Sequence, residues 1–193
     1  MGTRGFFGWV VDGDLVGQYN HYDSYPSGKG VDLLKQIKTI KDFGKVRARL
    51  KAVIEVEEDS PMTKKEYDMY ADVGDPTVGS NTMANEIVRT WYQLLHELQG
   101  NLIPYFTGKA IHIVNSKDFM KDSLFCEWAY VLNFDTMKLE VYKGFIRDKH
   151  NKNKYFPCEK NDDGYYPVEL IAEFQLKKLP TKEEFLKQCG DEE

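Results

Sequence analysis

The feature that most constrains this chain is a pair of aromatic and β-branched runs, RGFFGWVV at residues 4–11 and LVGQYNHY at residues 15–22, joined by Asp12-Gly13-Asp14. An Asp-Gly step between two such runs is the local signature of a tight hairpin, because the turn needs positive φ, which Gly adopts freely and Asp tolerates. A lone hairpin is at best marginal in water. The rest of the chain must therefore supply more strands and a layer to cover them.

Those parts are visible downstream. Asp23-Ser24-Tyr25-Pro26-Ser27-Gly28-Lys29-Gly30 holds one Pro and two Gly and reads as a compact loop. Val31, Leu33, Leu34, Ile37 and Ile40 then recur at helical spacing, Gly44 punctuates, and Val46, Leu50, Val53 and Ile54 mark a second helix. Residues 59–80 are polar, carry Pro61, Gly74, Pro76 and Gly79, and read as a surface excursion with a short helix at 63–71. The longest apolar stripe, Ile87, Val88, Trp91, Leu94, Leu95 and Leu98, predicts a central core helix over 82–99, started by Ser80, Asn81 or Thr82 and stopped by Gly100.

Beyond it come a short strand at 110–114 and a second hairpin, 124–132 with 138–145. A polar loop at 155–164 and a strand at 168–176 follow. A last helix is opened by Thr181 as N-cap, with Glu184 in the capping-box position. Strands at both ends with helices grouped between them predict a single α+β domain over 1–193, a mostly antiparallel sheet with helices packed on it, and a frayed tail from 188. Trp128, Tyr130, Leu132, Leu139 and Val141 read as sheet core.

Charge and composition narrow the function. A net charge of -5 gives the whole chain no electrostatic reason to seek nucleic acid. The one basic stretch (Lys35, Lys38, Lys41, Lys45, Arg47, Arg49, Lys51) is spaced like the wet side of helices and is followed by acids from Glu55 to Asp59. No apolar run approaches the roughly 18 residues of a membrane span, and the segment after Met1 lacks an apolar secretion core and the Ser or Thr of a myristoylation signal. Cys126, Cys158 and Cys189 are odd in number and unpaired by spacing, which suits reduced thiols in a cytoplasm. Cys126 reads as a buried inert thiol, although a Cys/His pair with His21 or His112 remains open. His21, His96, His112 and His150 lie too far apart for a local zinc pair. Gly28-Lys29-Gly30 falls short of GxGxxG and of GxxxxGK[ST], so no cofactor and no metal are expected.

The densest group of chemistry-bearing residues is Arg4 with Tyr19, Asn20, His21, Asp23 and Tyr25. In a hairpin closed at Asp12, the start of one strand lies beside the end of the other, which puts Arg4 within reach of residues 19–23. A guanidinium can clamp an anionic or polar ligand while Asp23 accepts donors and the tyrosines offer faces. The alternative is an Arg4–Asp23 ion pair that only braces the hairpin, with Tyr25-Pro26 packing the loop.

MGTRGFFGWVVDG followed by QYNHYDSYPSGKGVDLL resembles a scattered family of uncharacterised proteins that open with G-T-R-G and carry Y-N/G-x-x-D-[SG]-Y-P-x-G-x-G after the first hairpin. CEWAYVLNFDTMKLEVYKGF and FQLKKLPTKEEF are similar to that family's later strands and C-terminal helix. The resemblance implies no established activity. A looser similarity, to N-terminal nucleophile hydrolases, implies a strand that begins at a nucleophile; here removal of Met1 exposes Gly2, and Thr3 needs a second trimming step. The expected function is a domain that binds a small polar or anionic ligand through the hairpin and the DSYP loop. A hydrolase or transferase with Asp23 or His21 as base, and a protein-interaction domain using exposed aromatics, stand as alternatives.

Overall fold

The computed structural model describes residues 2–73, 80–81, 86–87 and 90–191, with backbone alone at 80–81 and 86–87. The opening hairpin forms as expected: β1 (Gly5–Val11) pairs antiparallel with β2 (Asp14–Asn20) around Asp12 and Gly13, both at positive φ. Two short pairs precede the second hairpin. These are β3 (Ile54–Glu55), parallel to β6 (His112–Ile113), and β4 (Ser80–Asn81), antiparallel to β5 (Glu86–Ile87). The second hairpin is β7 (Trp128–Asn133) with β8 (Lys138–Lys143), and β9 (Glu169–Gln175) adds to it. The five-stranded sheet runs β2-β1-β7-β8-β9. One pairing departs from the antiparallel expectation: β1 lies parallel to β7. Parallel neighbours need a long crossover, and here it is everything between β2 and β7.

The crossover carries the helices. α1 (Val31–Lys38) buries Val31, Leu33, Leu34 and Ile37, and α2 (Phe43–Lys51) buries Val46 and Leu50. The break between them falls at Asp42, whose carboxylate accepts from Lys45 N at 2.9 Å; Gly44 lies inside α2. Ile54, expected in that second helix, sits in β3 and is half exposed. α3 (Lys64–Met69) is capped by Thr63 and buries nothing of its own, but Tyr70 after it is buried and fastens the excursion.

The expected long helix over 82–99 is not one helix. Glu86–Ile87 is strand, Thr90 bridges Pro61, and among the described residues of this range only α4 (Trp91–Leu95) with a 3-10 turn at His96–Leu98 is helical. Residues 82–85 and 88–89 of that expectation lie outside the described residues. The apolar stripe was sound where it is described, since Trp91, Leu94, Leu95 and Leu98 are all buried. The start was misplaced because Thr90 and Gln93 form a capping box that outcompetes the Ser80-Asn81-Thr82 signal. α5 (Ile103–Thr107) ends at Gly108 in the left-handed region. α6 (Lys182–Cys189) starts on the Thr181–Glu184 capping box as read. The tail expected to fray from 188 is instead held: Cys189 is buried, and the Asp191 carboxylate accepts from Ser27 N at 2.7 Å; residues 192–193 lie outside the described residues.

The sheet is covered on both faces, so β1 and β7 are buried along their whole length. The period of two separates two cores. Phe7, Trp9, Val11, Tyr130, Leu132 and Val141 face the helices, and Phe6, Val10, Ala129, Val131 and Tyr142 face an irregular cover that includes Met120, Tyr155 and Phe156. Under that cover lies a fully buried carboxylate, Glu140, which accepts from Tyr142 Oη at 2.7 Å, Tyr155 Oη at 2.5 Å, Asn133 Nδ2 at 3.1 Å and Lys154 Nζ at 2.9 Å. Burial above all pushes both phenol pKa values up, so both tyrosines stay donors. This network ties the loop after β8 to the sheet.

Two predictions follow from this packing. Gly8 and Gly17 face each other across β1 and β2, and the Phe6 ring lies over both, with no room for a Cβ at Gly17. Gly17→Ala should destabilise the fold by about 1–3 kcal/mol through overpacking, read as a lower urea midpoint at unchanged m-value. His112 is buried against Trp91 with ring centroids 4.4 Å apart, and its Nδ1 lies 3.0 Å from Tyr70 Oη. Burial lowers its pKa below 6.5, outweighing the charge of Glu66. The folded state therefore binds the proton less readily than the unfolded chain, and this group's stabilisation, complete above pH 6.5, is lost as pH falls below it. Denaturation midpoints measured against pH should lose that component of their slope in His112→Gln.

Candidate functional site

β2 is an edge strand, and its outer edge is only partly covered. At one point Ser116 N donates to Gly17 O at 2.8 Å and Gly17 N donates to Asn115 Oδ1 at 3.2 Å. At the other, His21 N donates to Gln99 Oε1 at 3.2 Å. Between these clasps a cavity of about 390 Å³ opens along the strand. Because it wraps an edge, it touches side chains of both faces: Gln18 from the helical side, Tyr19 and Phe119 from the other. Leu95, Ile113 and Val114 make its apolar wall, and Tyr92, Tyr105, Gln99, Ser116 and Glu58 complete the lining.

Two of the residues singled out from sequence meet here. Tyr19 and His21 sit two apart on the strand and so share a side, with Tyr19 Oη 2.5 Å from His21 Nδ1. Burial raises the Tyr19 pKa, although the Arg4 charge nearby works against it, so the phenol keeps its proton and can donate in this bond. When the phenol donates, a neutral His21 carries its proton on Nε2, and that nitrogen has no protein partner among the described residues. The pair is further braced by Phe119, edge-on to Tyr19 at 5.1 Å between ring centroids.

The other four candidates go elsewhere. Asn20 points to the opposite side, where its Nδ2 donates to Ser24 Oγ at 2.7 Å and to Tyr22 O, so it shapes the loop. The Arg4 guanidinium stacks on the exposed Phe125 ring, 4.5 Å from its centroid, and Arg4 does not line the cavity. Asp23 is exposed at a φ of 56° and makes no ion pair with Arg4 or any other residue among those described. Its carbonyl accepts from Lys29 N at 2.8 Å. Tyr25 is exposed at the sharp turn Pro26–Gly30. The DSYP loop is held by Tyr130, whose Oη donates to the carbonyl of the wholly buried Ser24 at 2.8 Å.

Reading the sequence missed Gln18, Glu58, Tyr92, Gln99, Ser116 and Phe119 as a set. One signal was available: Gln18 is a polar residue at the inward phase of a strand whose opposite partner is Phe7. The other members come from distant segments, with no periodicity linking them. Among the described residues no three His, Cys, Asp or Glu side chains form a metal-binding group, and no helix is long and apolar enough to cross a membrane. Cys126 lies just before β7, outside the strand expected to hold it, wholly buried with its thiol pKa pushed up by that burial. No protein-family model, curated protein or solved structure matches the chain.

The dyad makes a direct prediction. In long-range 1H–15N spectra near neutral pH, neutral His21 should be almost wholly the Nε2–H tautomer, and Tyr19→Phe should convert it to a mixture of tautomers. An unchanged tautomer in the variant removes the dyad as an orienting device.

Proposed function

We propose that this chain is a binding domain for a small polar molecule, held in the cavity along the outer edge of β2. The observation that carries the reading is a mostly apolar hollow in which a few polar groups converge, the Tyr19–His21 pair foremost, on a strand locked into the sheet. Among the described residues the lining contains Glu58 and no lysine or arginine, which favours a polar neutral ligand over an anion. The N-terminal hairpin remains central to the site, with the DSYP loop as its support.

The basic stretch fits a solvated face better than a nucleic-acid surface. Arg47 pairs with Asp12 and with Asp135, at 3.1 Å in the second case, Lys51 reaches Asp12 at 2.6 Å and Lys35 reaches Asp32 at 2.8 Å. Three free cysteines support placement in a reducing compartment such as the cytoplasm.

One observation favours a second reading, an enzyme of the hydrolase or transferase type. With Nδ1–H donating to Tyr19 Oη, the imidazole would keep an unprotonated Nε2 at the cavity, the arrangement a general base requires, whereas the Nε2–H tautomer is only a hydrogen-bond donor. The same experiment addresses both. A fragment screen by protein-observed NMR should give hits that shift the amides of Tyr19, Leu95 and Phe119. Val114→Trp, which fills the hollow, should weaken every such hit at least tenfold while preserving the folded spectrum. Hits that map elsewhere and ignore the plug refute the cavity as the site; chemical turnover of a hit, lost in His21→Ala, decides for the enzyme.

A further inference from the structure

An edge strand exposes main-chain donors and acceptors, and in a regular antiparallel ladder they alternate, two residues apart, between the partner strand and the outside. The outward phase of β2 is marked by its contacts: Gly17 uses both its N–H and its carbonyl on residues 115–116, and His21 N uses Gln99. Tyr19 lies midway and in the same phase, opposite Phe6 in a pair that does not exchange hydrogen bonds. Its N–H and its carbonyl therefore point outward at the cavity, and neither has a partner among the described residues. Beside it, Gln18 is only 5 % exposed. Its Nε2 donates to Leu98 O, while its Oε1 accepts nothing among the described residues. Buried polar groups of folded proteins are nearly always paired, so the unpaired Oε1 of buried Gln18, beside the free main-chain N–H and C=O of half-buried Tyr19, marks the place of a ligand's own polar groups.

The spacing of the clasps says what kind of ligand. From Gly17 to His21 the strand covers about 13 Å at roughly 3.3 Å per residue, and both ends are already taken. That leaves one N–H and one C=O, too little edge for an added peptide strand, which needs a run of such pairs. A donor beside an acceptor is matched by an acceptor beside a donor held in one plane, as in the –CO–NH– edge of a cyclic amide. We infer that the cavity takes a neutral, planar cyclic amide, of the class of pyridones, pyrimidinediones and purinones. Tyr19 N–H donates to the ring carbonyl, Tyr19 O accepts the ring N–H, and Gln18 Oε1 selects rings that carry a second N–H. The flat faces of such a ring meet the apolar wall of Leu95, Ile113 and Val114 and the rings of Tyr92 and Phe119.

This inference rests on the cavity being the binding site, and the test separates the two. The full chain is titrated with 2-pyridone and uracil, with their N-methylated forms (N-methyl-2-pyridone and 1,3-dimethyluracil), and with toluene and benzoate, by 1H–15N spectra and calorimetry. The expected result is binding of 2-pyridone and uracil that moves the Tyr19 amide and slows its hydrogen exchange, with at least tenfold weaker binding after N-methylation. Uracil should bind more tightly than 2-pyridone, and Gln18→Met should erase that preference. N-methylated rings binding as well as their parents, or a Tyr19 amide that does not respond, overturns the inference. Binding of toluene or benzoate in the cavity without the cyclic amides overturns the amide assignment and leaves the cavity standing; silence of the cavity amides toward every probe overturns both. If Gln18→Met does not fold, the methylation series on the unaltered chain decides alone.

Discussion

The structure depends on β1 being buried on both faces and paired on both edges. One neighbour, β2, comes from the adjacent hairpin arm, and the other, β7, arrives in parallel after the whole helical crossover. A strand in that position has no wet side, which accounts for GFFGWVV as a nearly continuous apolar run. Gly8 and its partner Gly17 on β2 are part of the same constraint: there the Phe6 ring takes the space that two side chains would otherwise fill.

Central placement of β1 makes β2 the edge, and the edge makes the site. An uncovered edge strand invites association with other chains, and here it is closed by two short clasps, from Gln99 and from residues 115–116, in place of a further strand. Clasps bridge at points, and the interval between them is the cavity. The polar groups found there are consequences of strand geometry. Tyr19 and His21 share a side because strand side chains alternate, and the Tyr19 main chain faces outward because ladder hydrogen bonds alternate too.

Legibility in the sequence tracked how local the cause of each feature was. The first hairpin, α1 and the capping box of α6 were readable because neighbours within a few residues decide them. The helix expected over 82–99 failed for the converse reason. Its stripe at Trp91, Leu94, Leu95 and Leu98 is real, but where it begins is set by the Thr90–Gln93 cap and the bridge from Thr90 to Pro61. Of the candidate site, Tyr19 and His21 belong to the cavity, whereas Asn20 turns to the loop and Arg4 rests on Phe125. A list of polar residues in a row cannot separate the two sides of a strand until one knows which side each neighbour fills.

By itself, then, the sequence determined that strands and helices group into an α+β domain, that a hairpin opens it, and that residues 19 and 21 stand on one side of a strand. Only the tertiary structure decided that β1 joins β7 in parallel, that β2 is therefore an edge, and that Glu58, Tyr92, Gln99, Ser116 and Phe119 gather along it. The physical reason is range. Turns, caps and alternation are settled by backbone sterics and hydrogen bonds between near neighbours. A cavity is the space left when segments far apart in the chain pack against one another, and no single segment encodes it.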